Sequence, residues 1–438
     1  MRLKTQLGLA ALALIVVGGA TIAGLASGRD QATQEAQRVG RPLGPPPTLD
    51  QRIALLQAKA AAAPSNAPAH VNLGFAYLQK ARESGDPSFY GKAESVLQTA
   101  AKLDPDDADP LIGLGTLALS RHEFEQGLLH GLRARDLNPY KAAAYSVIAD
   151  AQVELGRYDE ARESVQQMVN LRPDLTSYSR VSYVRELFGD FPGAIEAMRQ
   201  AVEAGGPGSE ALAWTRVQLG HLLFNTGELA AAQREYDRTL YEYPDYVHAR
   251  AGQARVLAAR GDFAGAATLY QQITATMPLP EYVIALADVY HAAGRADEAV
   301  RADALVLVLD RLYRENGVKT DVEMALFAAD RGIAPAETVE RAREALALRP
   351  GIHAWDALAW ALYQSGSYEE ALAASDQALR LGSRDSLMRF HAGLIALKLG
   401  QNERAARELR AALSQNPHFS VRHGEDARVT LARLATGT

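Results

Sequence analysis

A glycine recurs at nearly constant spacing through most of this 438-residue chain, each time at the end of an apolar run of helical period. The successive intervals are 33, 38, 34, 33, 38, 34 and 34 residues. A sustained period in this range predicts an array of similar units that stack on one another, and it argues against a single compact domain. The glycines are Gly156, Gly189, Gly227, Gly261, Gly294, Gly332, Gly366 and Gly400.

Prolines mark the same period at the other end of each unit. A second apolar helical run lies between each glycine and the next proline. Glycine ends helices in a left-handed conformation and proline cannot continue a helix, so each unit is predicted to be a helix, a tight turn, a second helix and a stop. The prolines are Pro105, Pro139, Pro173, Pro244, Pro278, Pro350 and Pro417.

Small side chains recur at positions where the two helices of a unit would cross. The segment AYSVIADAQVELGRYDEAR, residues 144–162, returns 210 residues later as AWDALAWALYQSGSYEEAL, residues 354–372. A methyl side chain lets two helix axes approach closely, and a tyrosine after the turn would fill the wedge beside it. The residues concerned are Ala149, Tyr158 and Ala161 in the first segment, and Ala359, Tyr368 and Ala371 in the second.

Composition supports an all-helical chain and removes several classes of function. Hydrophobic residues make up 48% of the chain but aromatics only 7%, a balance typical of closely packed helices. The formal net charge of −6 argues against a nucleic-acid partner, which requires a basic face. The chain has no cysteine, which excludes disulfides, thiolate metal sites and thiol nucleophiles.

The first 28 residues differ in character from the repeats. Two basic residues precede 24 uncharged ones, and Leu7 to Ala26 is long enough for a helix that crosses a bilayer. A membrane anchor with its basic end in the cytoplasm is therefore predicted. The alternative is a signal peptide cleaved before Ser27, because Gly24 and Ala26 are small. Both interpretations place the repeats outside the cytoplasm, either membrane-anchored or secreted or periplasmic.

The repeated residues resemble the tetratricopeptide repeat, a family with a loose pattern of large, small and proline positions. The copy beginning at Ile352 supplies Trp355, Leu358, Ala359, Leu362, Ala371, Ser375 and Ala378. The copy beginning at Ala108 supplies Leu111, Leu114, Gly115, Ala118, Gly127, Gly131, Ala134 and Pro139. The resemblance implies an all-α protein, an α-solenoid wound as a right-handed superhelix of stacked helix-turn-helix units, here placed behind the N-terminal hydrophobic helix. Arginine greatly outnumbers lysine among the 46 basic residues, and this bias indicates a bacterial source.

Five regions are expected along the chain. Residues 1–28 are the anchor or signal peptide, and residues 29–47 form a flexible linker rich in proline and glycine. Residues 48–66 are predicted to be a capping half-repeat, residues 67–419 about ten tetratricopeptide repeats, and residues 420–438 a C-terminal capping helix.

In the family that the chain resembles, the first helix of each unit lines the inner curve of the superhelix. This implies a groove that suits an extended peptide or a helix, with aromatic side chains providing area and polar side chains fixing register. The alternative is that some of these residues pack between neighbouring units. The candidate groove residues are Ser179, Tyr183, Glu186, Trp214, His221, Phe224, Arg255, Asp288 and His291. Other positions on the same predicted face include His248 and Glu281.

No motif for catalysis or for cofactor binding is present. The chain has no phosphate-binding loop, no HExxH, no GxSxG and no dinucleotide fingerprint. The acidic stretch at residues 103–110 is interpreted as helix capping between two units. The histidines have no ligand spacing on one helix, and His418 and His423 lack obvious companions. No catalytic residue, cofactor or metal is therefore predicted.

The sequence favours a non-enzymatic protein-interaction scaffold of the bacterial cell envelope. Its partners would be proteins or peptides bound on the concave face, and its work would be to aid assembly of an envelope or secretion complex. The membrane would be contacted through the N-terminal helix, and self-association through exposed terminal helices is a further option. The alternative is an extracytoplasmic enzyme, or a subunit of one, with a cryptic site in the groove.

Overall fold

The computed structural model describes residues 48–436, and within them the chain is entirely helical, with 22 α-helices and no strand. The predicted anchor or signal peptide and the linker lie outside the described residues. The first eleven helices are α1 (Leu49–Ala62), α2 (Ala67–Ser84), α3 (Ser88–Leu103), α4 (Asp109–Ser120), α5 (Phe124–Leu137), α6 (Ala142–Glu154), α7 (Tyr158–Leu171), α8 (Leu175–Leu187), α9 (Phe191–Glu203), α10 (Glu210–Asn225) and α11 (Leu229–Glu242).

The second half of the chain continues the same alternation of paired helices. Its helices are α12 (Val247–Ala259), α13 (Phe263–Thr276), α14 (Pro280–Ala292), α15 (Ala296–Glu315), α16 (Asp321–Arg331), α17 (Pro335–Leu348), α18 (Ile352–Ser365), α19 (Tyr368–Ala378), α20 (Ser386–Lys398), α21 (Asn402–Gln415) and α22 (Gly424–Thr436). Helices α2 to α21 form ten successive pairs, numbered unit 1 (α2 and α3) to unit 10 (α20 and α21). The expected all-α repeat solenoid is thus confirmed.

The recurring glycines end the first helix of their units by the mechanism that the sequence indicates. All eight have a positive φ, between +62° and +87°. At Gly156 the next residue, Arg157, donates its backbone N–H to the carbonyl oxygen of Gln152 at 2.8 Å. This bond satisfies a carbonyl that the helix end would otherwise leave unpaired, and only glycine adopts the required conformation without steric cost.

The recurring prolines stop the second helix in seven of the ten units. Each of the seven is the second residue after a helix end, as Pro105 is after Leu103. The intervening residue is extended, with Asp104 at φ −138° and ψ 88° and Asn138 at φ −145° and ψ 93°. A residue before proline is excluded from the helical region by contact with the proline ring, so the chain turns sharply into the next unit.

Alanine and glycine let the helices of adjacent units approach closely. Ala149, Ala161, Ala359 and Ala371 are all buried, with at most 1% of their surface exposed. The ring of Tyr236 on α11 is fully buried against Gly220 and Gly252, in the first helices of units 5 and 6. A Cβ atom at either glycine would overlap that ring. Units 5 and 6 therefore share one packed core, as neighbours in a stacked array do.

The solenoid winds far enough for its later units to contact its earlier ones. The Tyr158 hydroxyl, at the turn of unit 3, accepts a hydrogen bond from the backbone N–H of Ile352 at 2.7 Å, where unit 9 begins. Buried Glu154 and Arg349 form an ion pair at the same junction. Where unit 10 ends, the Asn416 side chain donates to the carbonyl oxygen of Phe224 at 2.9 Å. The concave side is consequently enclosed by a full superhelical turn.

No helix between residues 48 and 436 combines the length and apolar character needed to cross a bilayer.

Candidate functional site

A cavity of about 610 Å³ lies on the concave side of the superhelix. Its wall comes mainly from the first helices of units 4 to 10, with additions from units 1 and 2 and from the segment after α21. The first helices of units 4 to 10 face the superhelix axis, and their side chains converge on the cavity. The contacts between early and late units bring the two ends of this surface together around the cavity.

Five of the nine candidate groove residues line the cavity: Tyr183, Glu186, Trp214, His221 and Arg255. They lie on α8, α10 and α12, the first helices of units 4, 5 and 6. These five residues therefore lie together on one side of the cavity. Binding of a peptide at these residues remains a prediction.

A chain of polar contacts joins three of these helices across the cavity wall. Arg255 donates from Nη2 to Oδ1 of Asn225 at 3.1 Å, and Asn225 donates from Nδ2 to Oε1 of Glu186 at 3.3 Å. The Arg255 guanidinium also lies over the ring of Phe224, 3.8 Å from its centroid. Burial raises the pKa of Glu186 to about 7, although the Asn225 hydrogen bond opposes the shift. Glu186 is thus poised to lose or gain a proton near neutral pH.

A second group of aromatic and polar side chains forms the wall at units 5 to 7. Trp214 packs edge-on against His248, with ring centroids 4.9 Å apart, and His248 Nδ1 lies 2.5 Å from the Tyr282 hydroxyl. Burial lowers the pKa of both His221 and His248 to about 3, so both rings are neutral at physiological pH. This wall therefore offers aromatic surface and neutral hydrogen-bonding groups.

Glu281 is the second residue of α14 and lines the cavity between these aromatic side chains and unit 8. Burial raises its pKa to about 8, and the nearby Glu323 carboxylate adds to the shift. At pH 7 the Glu281 side chain is therefore mainly a neutral carboxylic acid, which can donate a hydrogen bond as well as accept one. The Tyr313 hydroxyl, also on the cavity wall, is buried and has no hydrogen-bond partner.

Four candidate groove residues do not reach the cavity. Ser179 is buried and donates its hydroxyl to the Leu175 carbonyl oxygen at 2.7 Å. Phe224 is only 1% exposed, because its ring packs in the core of unit 5.

The other two candidates take part in ion pairs. Asp288 contacts Arg331 at 2.8 Å, and exposed His291 lies 3.3 Å from Asp303. These four residues therefore take part in contacts within the protein. The sequence analysis gave such packing contacts as the alternative to groove contacts.

The sequence interpretation also missed part of the cavity wall. Tyr313 comes from the second helix of unit 7, and Phe419 from the segment before α22. Groove positions were assigned only to first helices, so neither residue could be selected. The unusual length of α15, 20 residues, was the available signal for Tyr313, because that residue lies in its extra C-terminal turn.

Comparison with family models identifies the repeats. A model for the tetratricopeptide repeat matches residues 113–176, 217–280 and 357–420, and a second tetratricopeptide repeat model matches residues 280–302. The chain therefore contains tetratricopeptide repeats, a class of repeat that generally serves as a scaffold for protein interactions and is typically not an enzyme. Comparison with curated proteins gave no match.

Several solved structures are similar to parts of the chain. TTC0263, a thermophilic TPR protein of Thermus thermophilus, is 21% identical with a TM-score of 0.39 over 44% of this chain and 98% of that one. MamA is 23% identical, with a TM-score of 0.28 over 36% and 88% of the two chains. The human IFIT1 dimer with m7Gppp-AAAA is 13% identical, with a TM-score of 0.48 over 76% of each chain.

Proposed function

We propose that this protein is a non-enzymatic interaction scaffold of the bacterial cell envelope whose central cavity holds a short segment of a partner protein. The observation that carries the proposal is the convergence of five candidate groove residues on one cavity walled by a complete superhelical turn. Tetratricopeptide repeats generally act as scaffolds for protein interactions, and the cavity on the concave side brings together inward-facing aromatic and polar side chains of this chain.

The size of the cavity restricts what the partner can insert. A volume of about 610 Å³ is in the range that accommodates a small ligand or a few residues. A folded domain cannot enter it. Of the two occupants that the sequence favoured, an extended peptide segment therefore fits better than a helix.

The chemistry of the wall favours an uncharged segment with an apolar or aromatic side chain. Trp214, Tyr282 and Tyr313 present rings against which such a side chain can pack. At neutral pH the protonated fraction of Glu186 and Glu281 can donate hydrogen bonds to backbone carbonyls of the bound segment.

The charged groups of the wall are mostly neutralised within the protein. Arg82 pairs with Glu210, and Arg349 pairs with Glu154 and Glu323. A bound segment of high charge would have to displace these partners, which is a further reason to expect an uncharged one.

The N-terminal sequence supports a location outside the cytoplasm. The uncharged stretch from Leu7 to Ala26, with basic residues before it, fits either a membrane anchor or an export signal. In this proposal the repeats lie on the outer side of the membrane and hold partners during assembly of an envelope or secretion complex.

Site-specific photo-crosslinking of the full-length protein in its native cell tests the proposal. A photoreactive residue in place of Gln218 would lie on the cavity wall, and one in place of Tyr241, which is 90% exposed on α11, is the matched control. We expect the cavity position to crosslink to one short sequence of a specific partner and the control position not to do so. A synthetic peptide of that sequence should then bind the full-length protein with one-to-one stoichiometry in calorimetry.

Two substitutions provide the second part of the test. Trp214→Ala removes cavity wall and should weaken peptide binding at least tenfold, whereas Tyr241→Ala should leave the affinity unchanged. Equal affinity for both variants, or identical crosslinking from both positions, would show that the partner binds elsewhere on the superhelix.

A further inference from the structure

Three potential metal ligands from distant parts of the chain meet near the C-terminal end of the superhelix. Asp330 lies near the end of α16, His391 in the middle of α20, and His423 immediately before α22. One ligand atom from each, a carboxylate oxygen or a ring nitrogen, lies within 4.8 Å of the other two. Zn²⁺ binds imidazole nitrogen and carboxylate oxygen at about 2.0–2.2 Å, so atoms this close can ligate one ion after small side-chain adjustments.

The hydrogen bonding of His391 is typical of metal-binding histidines. Its ring is fully buried, and Nδ1 lies 3.0 and 3.1 Å from the two carboxylate oxygens of Asp356. The ring also stacks on Trp360, with centroids 4.2 Å apart and planes 14° apart. A carboxylate on one ring nitrogen fixes the orientation of the imidazole and raises the basicity of the other nitrogen, an arrangement that recurs around protein-bound metals.

The second ring nitrogen of His391, Nε2, lacks a hydrogen-bond partner among the described residues, although it is buried. Leaving such a polar atom buried and unpaired costs about 1–3 kcal/mol. A metal ion bound at Nε2 would remove that cost, and it would give Asp356 the role of a positioning residue.

The contact between His423 and Asp330 is compatible with the same ion. His423 Nε2 lies 3.0 Å from Oδ1 of Asp330, which also accepts a hydrogen bond from Trp360 Nε1 at 2.8 Å. Two ligands of one four-coordinate ion are separated by roughly this distance, so the ion can replace the proton between them. The neighbouring Arg331 pairs with Asp288 and Asp303, and these two carboxylates balance its charge.

We propose that Asp330, His391 and His423 bind a divalent first-row transition ion, of which Zn²⁺ is the best match to two imidazoles and one carboxylate. Three protein ligands leave a fourth position open for water or for a group from a partner. Because His423 directly precedes α22, the ion would fasten the terminal helix to units 8 and 10. None of the three ligands lines the central cavity, whereas the positioning residue Asp356 does, so the metal site lies next to that cavity.

Cobalt and zinc titrations of the full-length protein, after removal of bound metal with a chelator, test this site. We expect one Co²⁺ per chain with visible d–d absorption of a four-coordinate ion, displacement of Co²⁺ by Zn²⁺, and an increase in Tm on addition of Zn²⁺. His391→Gln and Asp330→Asn should each lower the affinity at least 100-fold. His70→Gln, which changes a histidine on α2 far along the chain, should not alter it.

Two further variants keep the test informative if a ligand substitution disturbs folding. His423→Cys retains a ligand, and because the chain has no cysteine of its own, it should add a thiolate-to-cobalt charge-transfer band absent from the unmodified protein. Asp356→Asn should weaken binding about 10–100-fold and keep the one-to-one stoichiometry, as expected of a positioning residue. No cobalt binding, or affinity unchanged in His391→Gln, or no new band in His423→Cys, would overturn the proposal.

Discussion

The two copies of one sequence pattern, residues 144–162 in unit 3 and residues 354–372 in unit 9, have the same local structure but different surroundings. Both consist of a first helix, a glycine with positive φ and a second helix that begins at tyrosine. A Cβ atom at Gly156 would lie 2.6 Å from the carbonyl oxygen of Pro350, whereas one at Gly366 would have no neighbour within 4 Å.

The tyrosines that follow these two glycines, Tyr158 and Tyr368, also differ in how far they are covered. Tyr158 is buried beneath the start of unit 9, and Tyr368 is only partly buried. One copy is covered by the returning superhelix and the other is not. A repeat position thus determines a residue's local conformation, and the winding of the whole array determines whether that residue also supports a tertiary contact.

The largest expected effect comes from the ion pairs that join unit 3 to the junction of units 8 and 9. Arg349→Met leaves Glu154 and Glu323 without their cation in a buried setting, and should lower the free energy of unfolding by about 3–5 kcal/mol. Urea denaturation measures this loss. The control Arg343→Met removes a half-exposed arginine that pairs with Glu340 and Glu370, and should cost less than about 1 kcal/mol. Equal losses would mean that the contact between turns adds no stability.

The next largest loss of stability is expected from alanine substitutions at the turn glycines Gly156 and Gly366. Gly366→Ala places a Cβ on a left-handed residue in open space and should cost about 1–2 kcal/mol. Gly156→Ala has the same backbone cost and also presses on Pro350, so it should lose about 1–3 kcal/mol more. The difference between the Tm values of the two variants measures the effect of the contact between Gly156 and Pro350. Identical Tm values would contradict the claim that unit 9 covers the turn of unit 3.

The tyrosine pair isolates a single hydrogen bond. Tyr158→Phe leaves the buried N–H of Ile352 without its acceptor and should cost about 1–3 kcal/mol, with faster hydrogen exchange at that amide. Tyr368→Phe, at the equivalent place in unit 9, should change stability by less than about 0.5 kcal/mol. Unchanged exchange at Ile352 in Tyr158→Phe would show that the bond does not form in solution.

The last prediction concerns the pH dependence of stability and depends on burial of Glu281 on the cavity wall. Burial raises the pKa of Glu281 to about 8 from an ordinary value of 4.5. Between these values the folded state holds a proton that the unfolded state has lost, so stability should fall as pH rises from 5 to 8, by at most about 1.4 kcal/mol per unit. Tm measured over this range should fall less steeply in Glu281→Gln than in the exposed control Glu369→Gln. The same slope in both variants would mean that Glu281 is hydrated.

Much of the local structure followed from the sequence because the signals act over a few residues. Gly156 has the positive φ expected of a helix-ending glycine, and Pro105 stops α3 at the expected place. Ala149 and Ala359 are buried at helix crossings as their size indicated. The repeat family assigned Tyr183 and Trp214 to the concave side, where they line the cavity.

The sequence was less informative about which side chains face the cavity and which lie close to one another in space. Phe224 and Ser179 occupy the same face of their helices by repeat numbering, yet both pack into the core. The cluster of Asp330, His391 and His423 gave no usable signal, because its members are separated by 61 and 32 residues and share no helix.

The sequence by itself determined that this chain is a stack of helical pairs, because capping, proline stops and apolar period are properties of short segments. Only the tertiary structure decided how far the stack winds, and hence that Tyr158 contacts Ile352 and that the concave side forms a cavity. The physical reason is that the superhelix is the sum of small rotations between successive units, each set by side-chain packing, and no single repeat contains the sum.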